Sequence, residues 1–202
     1  MLQNYICKIT VSLTQDLQKS VAATAFGFND GSNNGLLTAG HVITNLLGEY
    51  PTEGKIKAYI TFQNYYGVVN EAPIEVQLIL NKFNSSEKFG VVPLFDSAEI
   101  LYDGVSPVTN YFKKADCNLN DDVIGIGYPS NSNDFINIAG SLTCIDGDRL
   151  LVNHDSFPGC SGCPYVKNID GEYFVIGSLI GSIEGSDKHN SIQSANSFYL
   201  MS

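Results

Sequence analysis

Basic residues are scarce in this chain. Its 202 residues include ten lysines and a single arginine, Arg149, and the formal net charge is −10. No basic cluster is longer than the pair Lys113 and Lys114. Proteins that bind nucleic acids neutralise the phosphate backbone with Lys and Arg side chains. We therefore expect no nucleic-acid partner.

Long apolar segments are also lacking. No stretch approaches the ~20 apolar residues that span a bilayer, and residues 1–8 lack a basic region followed by an apolar run. We therefore expect neither membrane association nor export. The five cysteines are an odd number and too few for a disulfide framework. That usage favours a reducing compartment, and the cytoplasm is the expected location.

The chain does contain enough apolar sequence for a core, since 44% of its residues are hydrophobic and only 16% are charged. Short runs of β-branched and aromatic residues recur about every 8 to 12 residues, a spacing typical of β-sandwiches and barrels. The less periodic stretch 103–121 separates two similar halves of an all-β chain. The predicted strands are 5–13, 21–28, 36–38, 55–62, 74–80 and 89–95, then 122–128, 135–145, 150–152, 163–167, 173–179 and 197–200.

Two turns and one helical turn are predicted between these strands. Asn-Asp-Gly-Ser-Asn-Asn-Gly at 29–35 and Asp-Gly at 146–147 indicate hairpin turns, because Asn, Asp and Gly tolerate positive φ. Residues 40–43 indicate a strand that gives way to one short helical turn.

Two motifs carry groups that could perform acyl transfer. Pro-Gly-Cys-Ser-Gly-Cys-Pro at 158–164 is a tight turn of small residues that runs into a predicted strand. A nucleophile needs such a turn, which projects its side chain while nearby N–H groups point at the developing oxyanion. Leu-Thr-Ala-Gly-His at 37–41 supplies a histidine, the commonest general base, at the end of another predicted strand.

These motifs, in this order and at this spacing, resemble those of chymotrypsin-like peptidases. Thr-Ala-Gly-His at 38–41 and Gly-Cys-Ser-Gly-Cys-Pro at 159–164 carry the resemblance. Val-Ile-Gly-Ile-Gly-Tyr-Pro at 123–129 is similar to a strand of bacterial glutamyl-endopeptidase-like members. Gly-Cys-Pro-Tyr-Val at 162–166 is similar to a loop of calicivirus cysteine proteases, with a serine where their cysteine stands.

The resemblance implies two six-stranded antiparallel β-barrels with the active site between them, over residues 1–105 and 106–202. It implies a trypsin-like serine endopeptidase that needs no cofactor and acts on a protein or peptide substrate. His41 would be the general base and Ser161 the nucleophile. The expected oxyanion donors are the N–H groups of Ser161 and of Gly159, two residues earlier.

That donor rule separates the candidate nucleophiles. For Cys160 the second donor would be Pro158, which has no N–H. Cys163 as nucleophile would be followed directly by proline, and it remains a less favoured alternative, as does a cysteine-type mechanism through Cys160. The Cys-x-x-Cys spacing of the pair gives little support to a redox or zinc site, because the sequence has no second such pair.

The acid that should orient His41 is the one residue for which the sequence departs from the family motif. In the resembled family it stands in an Asp-hydrophobic-Ala-hydrophobic-hydrophobic strand, and the matching segment 88–92 begins with Lys88. A lysine cannot accept the imidazole N–H, so we expect the neighbouring Glu87 to take this place. A dyad without an acid is the alternative, and Asp96, farther along the strand, is less favoured. Because the expected acid is missing from its position, a catalytically inactive binding module is an alternative function.

Two residues are candidates for substrate selection. Asp155, six residues before Ser161, resembles the base of the pocket in peptidases that cleave after Lys or Arg, although it could simply cap a turn. Leu179 stands where glutamyl-specific and viral members carry a histidine. The expected preference is a basic or medium-sized apolar residue on the acyl side. Cys160 replaces the Asp that secreted zymogens pair with a new amino terminus, so we expect no such activation switch.

Overall fold

The first half of the chain folds into a closed six-stranded β-barrel in a computed structural model, which describes residues 1–48, 55–82, 95–154, 160–182, 189–198 and 200. The strands are β1 (Ile6–Ser12), β2 (Ser20–Asn29), β3 (Asn34–Thr38), β4 (Lys55–Asn64), β6 (Ile74–Lys82) and β7 (Phe95–Leu101), and the short β5 (Gly67–Val68) extends β4. The barrel strands follow one another in the order β1-β2-β3-β7-β6-β4, and β4 pairs back onto β1. All six pairings are antiparallel.

The second half forms another closed barrel, in the order β10-β11-β14-β13-β12-β9. Before it, the short strand β8 (Phe112–Lys113) pairs in parallel with β2 of the first barrel. The barrel strands are β9 (Asp122–Gly127), β10 (Ile136–Asp146), β11 (Arg149–Asn153), β12 (Pro164–Ile169), β13 (Glu172–Ser182) and β14 (His189–Ser194). The predicted all-β fold with two six-stranded barrels is confirmed, while the boundary at residue 105 stays a prediction.

Strand β2 shows why the two barrels pack together. Its side chains alternate between two faces, and residues 23–28 are buried on both. One face, with Ala23 and Ala25, lines the first barrel. The other, with Phe26 and Phe28, joins a hydrophobic cluster that also contains Tyr128 and other residues of the second half. The interface between the barrels is therefore an apolar core of its own.

The predicted turns are confirmed. Residues 30–33 connect β2 to β3, with Gly31 at φ +102°, and residues 147–148 connect β10 to β11, with Gly147 at φ +59°. The predicted helical turn is a seven-residue helix, α1 (His41–Leu47), which ends where Gly48 adopts φ +76°. A left-handed residue of this kind is a common helix stop. Along the parts of the chain that the structure describes, no helix is long and apolar enough to cross a bilayer.

One predicted strand is wrong in position, and another is described only at its last residue. Of the strand predicted at 89–95, residues 89–94 lie outside the described ones, and Phe95 is the first residue of β7 (Phe95–Leu101). The strand predicted at 197–200 is instead β14 (His189–Ser194), followed by a 3-10 helix (Ala195–Ser197). Four side chains of β14 are polar yet buried, because the strand lies between β11 and β13 in the closed barrel; they are Asn190, Ser191, Gln193 and Ser194.

Candidate active site

The histidine of the Thr-Ala-Gly-His motif lies at the junction of a strand and a helix. Strand β3 ends at Thr38, and His41 is the first residue of α1. Its side chain is 16% exposed, so the imidazole reaches the surface with only one edge. Both the main-chain N–H and the ring Nδ1 of His41 contact Asp96 Oδ1, at 3.0 and 2.6 Å. One carboxylate oxygen therefore fixes the backbone and the ring together.

Asp96 reaches this place because of the register between β3 and β7. The strands are antiparallel and Thr38 pairs with Ala98, so Asp96, two residues before Ala98, comes level with the residues that lead into α1. The carboxylate is fully buried. Burial raises the pKa of Asp96, and the hydrogen bonds from His41 oppose that rise. Its second oxygen, Oδ2, is also buried and accepts no hydrogen bond from any described residue.

Ser161 completes a chain of hydrogen bonds across the two barrels. Its Oγ lies 2.6 Å from His41 Nε2. When Asp96 is ionised, its carboxylate can only accept a hydrogen bond, and the ring proton of His41 then lies on Nδ1. Nε2 is then left to accept the Ser161 hydroxyl proton. This geometry is the one that a serine nucleophile, a general base and an orienting acid require.

The turn that presents Ser161 is closed by its two flanking cysteines. The N–H of Cys163 donates to the carbonyl of Cys160 at 2.9 Å, and Gly162 between them adopts φ +78°. A Cβ on Gly162 would lie 2.5 Å from the carbonyl oxygen of Thr24. Only glycine combines that backbone conformation with so close an approach to the first barrel.

The structure brings Asp96, the less favoured candidate for the acid, to His41 Nδ1. Glu87 and Lys88 both lie outside the described residues. The signal that identifies Asp96 was present as Asp-x-Ala-x-Ile at 96–100. It was missed because polar residues fill the two positions where the family pattern suggests apolar ones.

The predicted substrate-binding and oxyanion residues are only partly described. Leu179 is 5% exposed and packs in the core of the second barrel beside Cys160 and Cys163. Its main chain supports the turn: its N–H donates to the Cys163 carbonyl at 2.9 Å, and its carbonyl accepts from Gly162 N–H at 3.4 Å. Asp155 and Gly159 lie outside the described residues.

The two cysteines beside Ser161 are placed as packing residues. Cys160 and Cys163 are buried in the second barrel core, and His41 Nε2 contacts Ser161 rather than either thiol. Burial raises the pKa of the Cys163 thiol well above its ordinary value. Within the described parts of the chain, no three potential metal ligands cluster.

Comparison with known proteins gives a fold but no close relative. No protein-family model and no curated protein matches the sequence. The serine protease of a human pathogenic astrovirus is similar in structure, with a TM-score of 0.58 and 16% identity over 98% of this chain and 94% of that one. Protease Anisep from Arthrobacter nicotinovorans has a TM-score of 0.63 and 13% identity over 95% and 90% of the two chains.

A third similar structure is a catalytically inactive tobacco etch virus protease complexed with substrate. Its TM-score is 0.61, with 14% identity over 96% of this chain and 81% of that one. In all three cases the similarity extends over nearly all of this chain, so it includes both barrels. The chain therefore has the two-barrel fold of the chymotrypsin-like proteases.

Proposed function

We propose that this protein is a serine endopeptidase in which Ser161 is the nucleophile, His41 the general base and Asp96 the orienting acid. The observation that carries the proposal is the hydrogen-bonded series Asp96 Oδ1, His41 Nδ1, His41 Nε2 and Ser161 Oγ, with both contacts at 2.6 Å. The similar structures support it, since they are proteases of the same fold.

The reaction would proceed through an acyl-enzyme. His41 Nε2 takes the proton of Ser161 as its Oγ attacks the peptide carbonyl, and the imidazolium forms beside the buried Asp96 carboxylate. His41 then gives the proton to the leaving amine. A water molecule, deprotonated in turn by His41, releases the acyl group and restores Ser161.

The oxyanion would be held by main-chain donors at the turn. The N–H groups of Ser161 and Gly159 are the proposed pair, and each such donor typically contributes about 3 kcal/mol to the transition state. The Leu179 main chain accepts a hydrogen bond from Gly162 N–H and donates one to the Cys163 carbonyl, which supports this role because both bonds fix the backbone that directly follows Ser161.

The two rival interpretations lack this support. An inactive binding module would have no reason to bury a carboxylate against His41 Nδ1, and Asp96 is fully buried there. A cysteine peptidase would need a thiol at His41 Nε2, but Ser161 occupies that position and Cys160 and Cys163 are buried.

The substrate is proposed to be a protein or peptide, as for the tobacco etch virus protease that was solved with its substrate. We further propose that Asp155 gives a preference for Lys or Arg on the acyl side through a charge-assisted hydrogen bond. If so, Asp155→Asn lowers kcat/KM for peptides with Lys or Arg before the scissile bond, and spares those with Leu or Met. An equal effect on both substrate sets would contradict this preference.

Cleavage of a peptide library before and after Ser161→Ala tests the function. Ser12→Ala is a suitable control, because Ser12 is a fully buried serine at the end of β1 whose Oγ accepts from the N–H of Thr14 at 3.1 Å. Cleavage should disappear in Ser161→Ala and persist in Ser12→Ala. Cleavage that survives Ser161→Ala would refute the proposal.

A further inference from the structure

Thr24 is a polar residue on an apolar face of β2. It shares the face of Phe26 and Phe28, which pack in the cluster between the barrels. The residue is fully buried. A buried hydroxyl is costly unless it is hydrogen-bonded, so the partners of Thr24 indicate what its side chain does.

The hydroxyl of Thr24 contacts two parts of the second barrel. Its Oγ1 accepts the main-chain N–H of Tyr128 at 2.9 Å, directly after β9. It also lies 3.4 Å from the thiol of Cys163, which ends the turn around Ser161. One oxygen of the first barrel therefore holds a strand of the second barrel and the nucleophile turn.

The main chain of Thr24 contacts both proposed catalytic segments. Its N–H donates to the carbonyl of Ser161 at 2.9 Å. Its carbonyl accepts the hydroxyl of Thr38 at 2.8 Å, three residues before His41. A movement of Thr24 would thus shift the nucleophile relative to the base.

We propose that the Thr24 hydroxyl is a positioning group, which keeps Ser161 at hydrogen-bond distance from His41 by fixing the second barrel to β2. This inference rests on the proposed function. Any residue type with a main-chain N–H could make the backbone contacts at position 24. The contacts to Tyr128 and Cys163, however, need a side-chain oxygen. Without that oxygen the buried Tyr128 N–H loses an acceptor, and the turn loses the contact between its Cys163 thiol and the first barrel.

The test compares Thr24→Val with Thr24→Ser. Valine has the shape of threonine without the hydroxyl, and serine keeps the hydroxyl. We expect Thr24→Val to lower kcat at least tenfold with KM within twofold, because a misplaced nucleophile slows chemistry more than binding. We expect Thr24→Ser to stay within threefold of the unaltered protein. Ser12→Ala is again the control for loss of a buried hydroxyl.

Several outcomes overturn the inference: an unchanged kcat in Thr24→Val, an equal loss in Thr24→Val and Ser12→Ala, or no recovery in Thr24→Ser. If the unaltered protein cleaves nothing, the proposed function fails, and crystal structures still decide the inference. The Ser161 Oγ to His41 Nε2 distance should lengthen in Thr24→Val and stay near 2.6 Å in Thr24→Ser. An unchanged distance in Thr24→Val overturns the inference on its own.

Discussion

Replacement of Asp96 by Asn removes a charge and changes almost nothing in shape. The Oδ1 atom of Asp96 accepts two hydrogen bonds from His41, at 2.6 and 3.0 Å. If the asparagine NH₂ faces the imidazole, Nδ1 must accept, and the ring proton moves to Nε2. His41 can then no longer accept the proton of Ser161.

The expected loss of activity is large. A wrong tautomer at this position costs about 10⁴-fold in kcat in a triad of this type, which corresponds to about 5.4 kcal/mol. Steady-state kinetics on a cleaved peptide measures it, with KM expected to change little. A kcat within tenfold of the unaltered protein would refute the role of Asp96.

The same substitution should change how stability depends on pH. Because burial raises the pKa of Asp96, the folded chain holds this proton more tightly than the unfolded chain does. Ionisation therefore lowers the free energy of unfolding as pH rises from about 4. The asparagine amide does not ionise, so the unfolding temperature of Asp96→Asn should fall less than that of the unaltered protein between pH ~4 and neutral pH. An equal or larger fall in Asp96→Asn would contradict the argument.

Three further predictions concern the turn around Ser161 and a lysine that joins the two halves of the chain. Gly162→Ala should lower the free energy of unfolding by at least about 1–2 kcal/mol from its left-handed backbone alone, with more from the clash with Thr24; an unchanged denaturation midpoint would contradict this. Lys8 Nζ donates to the Ser132 carbonyl at 2.8 Å and to two neighbouring acceptors. Lys8→Met should therefore lower the free energy of unfolding by about 1.5–3 kcal/mol, and equal urea midpoints for the variant and the unaltered protein would contradict this. Because burial raises the pKa of the Cys163 thiol, a thiol reagent should leave it unmodified in the folded protein at neutral pH, and peptide mapping that finds it modified would disprove its protection.

Much of the architecture was predictable because most strands show their burial in sequence. The interior positions of β1, for instance, are Cys7, Ile9 and Val11, an alternation that indicates a strand with one face in a core. The contact between His41 and Ser161 was predictable because both residues stand in short motifs whose backbone requirements are strict. Gly162 shows this, since its φ of +78° and its contact with Thr24 admit only glycine.

The parts that were mispredicted have polar residues in buried places. Strand β14 contains Asn190, Ser191 and Gln193, which hydropathy assigns to a loop. The burial of Gln193 is tolerated because its amide donates hydrogen bonds to Ser97 and Ser197, at 3.3 and 2.9 Å. Ser97 stands 96 residues earlier in the chain, so the local sequence pattern around Gln193 does not contain this partner.

Asp96 was ranked too low for a related reason. Its neighbour Ser97 is polar but buried against Gln193. A polar residue at a buried position weakens the sequence pattern of the strand that carries the acid. The position of Asp96 depends on the register of β3 against β7. That register is a tertiary fact, and spacing along the sequence favoured Glu87 instead.

Reaction with a fluorophosphonate tests most directly whether Asp96, His41 and Ser161 work as one catalytic unit. The probe requires an activated serine, and intact mass and peptide mapping locate its adduct. We expect one adduct per chain, on Ser161, and a strong slowing of its formation in His41→Ala and Asp96→Asn. A folded protein whose Ser161 stays unlabelled, or is labelled equally fast without His41, would contradict the account.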